Sequence, residues 1–335
     1  MKRLLTICFG NIVLLCTLLL LSEGILIWMG YTPYSLGERP DIVVQPQGKF
    51  FQPDSLLGYK HLSGTYEVTL KQALHFTAHH HPSTLRRSHS DHQALDPAAP
   101  QLWFFGCSFT YGWSINDEDT FSWLLQKKMP EHRIVNWGVN GYGTLHFYLQ
   151  LKSALEEGRR PQAVVINHAH FHHERNFFSY NHRISVSRWN FLGRLNQPYA
   201  CLTRNRQLQI EYSQVEYKVW SWSRKSILIC YFQRFYERWM DSRMHKDSRR
   251  ITQLLLDRIA KLCRDHGVQL LIANIDGPPA YIESYCQKRA LAYVDISLDL
   301  TDTHYTSEPY DRHPNARANL IYADRLYTAL LLLLK

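Results

Sequence analysis

From residue 101 onward the chain alternates short, bounded apolar runs with longer amphipathic ones, and this alternation limits the folds open to it. Trp103-Phe104-Phe105 stops at Gly106, and Ile134-Val135-Asn136-Trp137 stops at Gly138. Ala163-Val164-Val165-Ile166, Gln269-Leu270-Leu271-Ile272-Ala273 and Ala292-Tyr293-Val294-Asp295-Ile296 follow. Runs this short and this apolar read as strands buried on both faces of a sheet. Helical patterns over 119–128, 144–157, 250–264, 278–289 and 314–334 separate most of them, with Thr144 as a candidate N-cap and Gly267 as a stop signal. In 250–264, Ile251, Leu254, Leu255, Ile259 and Leu262 share one face. Strands alternating with helices predict an α/β sandwich, with a mainly parallel sheet covered by helices on both sides.

The N-terminus is of another kind. Lys2 and Arg3 precede an uncharged stretch over 4–22, and after Glu23 the apolar character resumes over 25–29, with Trp28 and Tyr31 as interface anchors. A helix of the uncharged nineteen residues spans about 28 Å, close to the thickness of a bilayer core. The leading positive charges predict an N-terminus in the cytoplasm and the remainder outside it. A cleaved signal peptide is the rival, but it calls for a shorter apolar core and a small-x-small site, which is missing near Ser22. The expected organisation is a single-pass membrane anchor over 1–30, a stalk and docked segment over 31–98, and a main domain over 99–335. The Leu330–Leu334 run is too short to span a membrane and reads as the end of an amphipathic helix.

Two regions fit the alternation poorly. Residues 31–98 carry Pro, Gly and His punctuation, with short alternating pieces such as Tyr66-Glu67-Val68-Thr69-Leu70, and read as a stalk plus a few strands docked on the main domain. His79, His80, His81, His89 and His92 crowd there, and without Asp, Glu or Cys at ligand spacing they read as a solvated His-rich loop rather than a metal site. An insertion over about 177–249 shows no strand of the main sheet but holds Trp189, Trp220, Trp222 and Trp239. It reads either as a lid or substrate wall, or as a helical excursion with its aromatics packed inward.

Composition narrows the partners. Among 335 residues, 38 Lys and Arg against 29 Asp and Glu leave a net charge of +9. No basic run of five, zinc-finger spacing or RNP-type motif accompanies that charge, which argues against nucleic acid. Seven cysteines without a CxxC pair do not look like a disulfide framework, which leaves one or two bridges open in an oxidising compartment.

Three stretches carry chemistry. Gly106-Cys107-Ser108-Phe109-Thr110-Tyr111-Gly112 follows the first strand and places a serine at a strand-to-helix turn, at the carboxyl end of the sheet. By itself such a serine is more often a helix cap than a nucleophile. Tyr310-Asp311-Arg312-His313-Pro314-Asn315 puts a base and its orienting carboxylate in one loop, with Pro314 suited to the first turn of the last helix. Asn136-Trp137-Gly138-Val139-Asn140-Gly141-Tyr142-Gly143-Thr144 supplies a glycine-rich loop whose free N–H groups can hold a developing oxyanion, or simply a turn.

In this order the three stretches resemble the blocks of the SGNH/GDSL hydrolase superfamily over about 99–335. The Gly-Cys-Ser-Phe-Thr-Tyr-Gly form with an N-terminal anchor looks like its membrane-anchored bacterial branch. The resemblance implies a flavodoxin-like three-layer αβα sandwich with a five-stranded parallel sheet. It also implies a cofactor-free, metal-free esterase or O-acyltransferase with Ser108 as nucleophile, His313 as general base and Asp311 orienting it. The N–H groups of Ser108 and Gly141 would form the oxyanion hole. Cys107 stands where the family usually has Asp, and its side chain should point away from that of Ser108. The family's Gly-x-Asn-Asp block is replaced by Asn167-His168-Ala169-His170-Phe171-His172-His173-Glu174, so His172 or His170 would fill the third donor role, with Asn167 ranked lower. The resulting expectation is a membrane-anchored, extracytoplasmic serine esterase acting on acyl esters, first of all O-acetyl groups on a carbohydrate of the cell envelope. The alternatives are an O-acyltransferase with the same triad and a catalytically silent protein that binds a glycan or a partner.

Overall fold

The computed structural model describes residues 2–33, 41–46, 50–90, 96–187, 195–214 and 217–335. His92 and Trp189, singled out above, lie outside the described residues. The first helix, α1 (Lys2–Trp28), is followed by five short strands: β1 (Ile42–Gln45), β2 (Phe51–Asp54), β3 (Gly58–His61), β4 (Gly64–Leu70) and β5 (Leu74–His80). Next come β6 (Gln101–Phe105), α2 (Ser108–Tyr111), α3 (Phe121–Lys128), β7 (Arg133–Asn136), α4 (Thr144–Glu156) and β8 (Ala163–Ala169). The insertion contains α5 (His172–Asn176), α6 (Tyr180–Ser187), the hairpin β9 (Asn196–Leu202) and β10 (Leu208–Gln214), and the start of α7 (Ile227–Asp265). The chain closes with β11 (Gln269–Asp276), α8 (Ala280–Lys288), β12 (Ala292–Asp295), β13 (Thr306–Ser307), β14 (Asp311–Pro314) and α9 (Ala316–Leu333).

The central sheet has the order β12-β11-β8-β6-β7 with every pairing parallel. This is the flavodoxin-like order, built from the five apolar runs that the sequence marks as strands. Successive side chains on a strand face opposite ways, so each run feeds two cores. Leu102, Phe104, Val165, Leu271 and Ala273 pack with Phe121 and Leu125 of α3 and with Tyr322, Leu326 and Leu330 of α9. Trp103, Phe105, Val164, Ile166 and Ile272 pack with Phe147 and Leu151 of α4, Leu256 and Ile259 of α7 and Ile282 of α8. Helix, sheet and helix make three layers.

The structure corrects several local expectations. The few docked strands are β1 to β5, but His79 and His80 end β5 instead of lying in a solvated loop. The alternation Phe76, Ala78, His80 turns one side of β5 into the core, and His80 is accepted there because both ring nitrogens are bonded, Nδ1 to Leu62 O at 2.6 Å and Nε2 to Tyr111 Oη at 2.8 Å. Gly143, not Thr144, is the N-cap of α4, and Thr144 is its first helical residue. Pro314 ends β14, and Asn315 caps α9 by accepting from Ala318 N at 3.1 Å. The predicted helix over 250–264 is the last part of α7, a helix of 39 residues. The insertion's aromatics divide: Phe177 and Phe178 are buried, while Trp220, Trp222 and Trp239 are 42–64% exposed. These tryptophans gather near the start of α7, with Trp239 about 20 Å along the helix from Thr252, where α7 meets α5. They therefore line no wall at that junction.

Candidate active site

Gly106 makes the sharp exit from β6. A Cβ there would lie 1.8 Å from Thr110 Oγ1, so only glycine lets α2 fold back this closely. Cys107 is extended at the N-cap, Ser108 is the first residue of α2, and Gly112 closes the turn in the left-handed region at φ 86°. The second loop is laced to the first. Asn136 Nδ2 donates to Thr110 O at 2.9 Å and to Ser122 Oγ at 3.0 Å, its Oδ1 accepts from Gly138 N at 2.9 Å, and Val139 N donates to Gly106 O at 3.1 Å. Gly138 lies so near α2 that a Cβ would sit 2.4 Å from Tyr111 N.

The hairpin of β13 and β14 brings the third stretch to the same place, held to the loop after α2 by Ser307 Oγ and Ser114 Oγ at 3.2 Å. His313 Nε2 lies 2.9 Å from Ser108 Oγ, and His313 Nδ1 lies 2.5 Å from Asp311 Oδ1. Asp311 Oδ1 also accepts the backbone N–H of His313 at 2.8 Å. A carboxylate on Nδ1 fixes the proton there and leaves Nε2 as the acceptor for the Ser108 hydroxyl. Burial pushes the Asp311 carboxyl up. The hydrogen bond from the His313 ring, that ring's charge, its backbone N–H and the Trp113 indole outweigh the burial, and Asp311 stays below the usual carboxylate range. Phe109 and Trp113 pack edge-on against the His313 ring, with centroids 5.4 Å and 6.5 Å away.

The remaining residues named from sequence fall differently. Cys107 is 1% exposed, within the core and away from the Ser108–His313 contact. Gly141 adopts φ 84° in the 139–142 turn, which Tyr142 N closes onto Val139 O at 3.1 Å. Tyr59 Oη holds this turn by donating to Asn140 O at 2.8 Å, and Arg175 donates to Tyr142 O at 2.9 Å. The Ser108 N–H, at the start of a helix, has no intrahelical acceptor. His172 is fully buried, and its Nδ1 accepts the Ala169 N–H at 3.1 Å. Burial and neighbouring Arg175 hold it well below the ordinary histidine value. Its Nε2 has no hydrogen-bond partner among the described residues. The His170 side chain is 61% exposed and is fixed to Asp276 Oδ2 at 2.9 Å. Phe171, next to it, lies 5.5 Å from the Phe109 ring. Asn167 is fully buried in β8. Among the described residues, no group of three or more His, Cys, Asp and Glu side chains converges on a metal position.

Sequence reasoning missed the residues that hold these loops. Arg86, 1% exposed, donates through Nε to Asp117 Oδ1 at 2.8 Å and reaches the carbonyls of Tyr111, Gly112 and Ile115. It thereby fastens the loop that leaves α2, and it bridges β5 to β7 through backbone pairing with His80 and Asn136. No local signal marks it, because its partners are distant in sequence.

No protein-family model matches the chain, and no match is found among curated proteins. Solved structures do match. The chain is similar to TesA, with 16% identity over 70% of this chain and 99% of that one, at a TM-score of 0.40. It is similar to a member of the lipolytic protein G-D-S-L family from Veillonella parvula, with 8% identity over 69% and 97% and a TM-score of 0.40. It is also similar to Est2A, an acetyl xylan esterase from Butyrivibrio proteoclasticus, with 11% identity over 69% and 63% and a TM-score of 0.36.

Proposed function

We propose that the chain is a membrane-anchored serine hydrolase of acyl esters, with its reacting domain outside the cytoplasm. The contact of His313 Nε2 with Ser108 Oγ at 2.9 Å, backed by Asp311, carries this reading. His313 takes the hydroxyl proton as Ser108 Oγ attacks the ester carbonyl, and Asp311 stabilises the imidazolium. The N–H groups of Ser108 and Gly141 receive the oxyanion, with His170 as the third donor in reserve. Collapse of the tetrahedral intermediate releases the alcohol, protonated by His313, and leaves an acyl-enzyme for a second acceptor to attack. Ser108 is 5% exposed and lies beside Phe109, so a short acyl group, acetyl first, is the expected load. Tyr310 and Arg312 stand exposed on the hairpin that carries His313, which suits a hydroxylated leaving group such as a carbohydrate more than a lipid.

The low exposure of Ser108 also favours a second reading, an O-acyltransferase, because restricted water lets another hydroxyl compete for the acyl-enzyme. The test of the shared first half-reaction is labelling of the full chain by a serine-directed fluorophosphonate. Label is expected on the parent and absent from Ser108→Ala and His313→Ala. Absence of label from well-folded parent protein would remove both readings in favour of a binding protein. Release of free acetate from acetylated glycans, set against transfer to an added sugar, then separates hydrolase from transferase.

A further inference from the structure

The start of α7 is built inside out. Gln233 and Glu237 are buried, while Phe232, Phe235, Tyr236 and Trp239 stand 41–71% exposed. The polar face is used internally: Gln233 Oε1 accepts from Trp220 N at 3.0 Å, Gln233 Nε2 donates to Lys218 O at 3.1 Å, and Glu237 Oε1 accepts from Tyr217 Oη at 2.7 Å. These bonds fold the 217–226 loop onto α7 and leave its aromatic face bare, with Trp220 beside Phe232, Phe235, Tyr236 and Trp239 around a shared groove. In water such a contiguous apolar surface is unfavourable.

Its depth is set by α1. Leu5–Trp28 is long and apolar enough to cross a membrane, and Glu23 is an acid inside that stretch. An acid at such a position needs a partner. Its partner is the N-terminus of α7: Glu23 accepts from Ser226 Oγ at 2.8 Å, Ile227 N at 2.7 Å and Leu228 N at 2.9 Å. The helix dipole adds to these bonds. Glu23 precedes Trp28 by five residues, so α7 begins about 7 Å below the end of the apolar stretch. Tyr31, just beyond α1, meets Tyr231 edge-on at 5.8 Å, so α7 also packs on the chain that leaves α1. Arg224, Lys225, Arg238 and Arg243 are exposed around the patch, Lys225 over Trp222 at 5.6 Å and Arg243 over Trp239 at 4.6 Å. Aromatic rings paired with basic side chains suit the boundary between acyl chains and anionic headgroups.

We infer that the 217–226 loop and the first third of α7 are embedded in the lipid headgroup–acyl boundary of the leaflet from which α1 emerges, as a second membrane element. This rests on the reading of α1 as a membrane span. The test places the full chain in vesicles of phosphatidylethanolamine and phosphatidylglycerol that carry a photoactivatable phospholipid, and maps the label by mass spectrometry. Label is expected on peptides covering both 5–28 and 217–243, and Phe235→Asp with Trp239→Asp should reduce the second set by about tenfold while fluorophosphonate labelling of Ser108 persists. Label confined to 5–28 overturns the inference and leaves the span intact. If the 217–243 peptides are then shielded by a co-purifying protein, the groove belongs to that partner. No label on 5–28 overturns the span and the inference together.

Discussion

Asp311 is bonded twice by one residue, through the ring and the backbone N–H of His313, so it sets both the tautomer and the position of the base. Asp311→Asn conserves shape but removes the negative charge that stabilises the imidazolium, and it leaves one accepting atom for the donors of His313 and Trp113. We expect the fluorophosphonate reaction rate to fall by about 10³–10⁴-fold, with circular dichroism and melting temperature close to those of the parent. A fall of less than tenfold would show that the carboxylate does not orient the base. Ser108, Asp311 and His313 were legible in the sequence because each lies in a short contiguous stretch with its own glycine or proline punctuation. The third oxyanion donor was not, because His170 and His172 are two residues apart and only burial separates them.

At the scale of elements, the five apolar runs became the five central strands because both faces of each are buried, and a continuous apolar run needs no partner to be read. The elements missed or left without bounds are those whose pattern depends on distant contacts. The docked strands within 41–46 and 50–80 are expected without bounds, being held by long-range pairs such as Tyr59 with Asn140, and the first half of α7 inverts the usual amphipathic rule. Arg86 belongs with them. It and Asp117 are 1% and 2% exposed, and Arg86 alone joins β5, β7 and the loop after α2. Arg86→Met removes the buried cation and leaves the Asp117 carboxylate with His79 Nδ1 at 2.6 Å and Arg87 Nε at 3.7 Å as its remaining side-chain partners, a loss of up to about 3–5 kcal/mol. Denaturant unfolding should show that loss, and adding Asp117→Asn should restore part of it, because the under-compensated charge is gone. A double variant as unstable as the sum of the two single ones would mean that the pair acts through packing alone.

For the whole molecule, the histidines decide how it responds to acid. Burial holds His61, His172 and His182 well below the usual value, and pushes His80, His146 and His168 down to about 3 and His173 to about 4. The direction is the reverse of a histidine that gains a carboxylate on folding. Each of these rings has a folded pKa below its unfolded value of 6.5, so below that pH the unfolded chain takes up protons the folded chain refuses. Stability is complete above about pH 6.5 and is lost as the pH falls toward 4, at about 1.4 kcal/mol per pH unit for each ring held neutral. A typical domain has only about 5–15 kcal/mol to lose, and seven such rings at full slope remove that within one or two pH units. Asp311 adds its own loss only at still lower pH, because its carboxyl lies below the usual range. The full chain in lipid nanodiscs should therefore show a urea midpoint that is flat from pH 8 to 7 and falls steeply between pH 6 and 5. His146, stacked on Tyr142 at 4.2 Å and joined to Gln197 at 2.8 Å, ties this titration to the glycine-rich loop. Unfolding by acid removes the support of Gly141, so fluorophosphonate reactivity should be lost over the same pH range. A urea midpoint unchanged down to pH 5 would show that these rings are solvated or proton-sharing in the folded chain, and that its acid tolerance is set by its carboxylates alone.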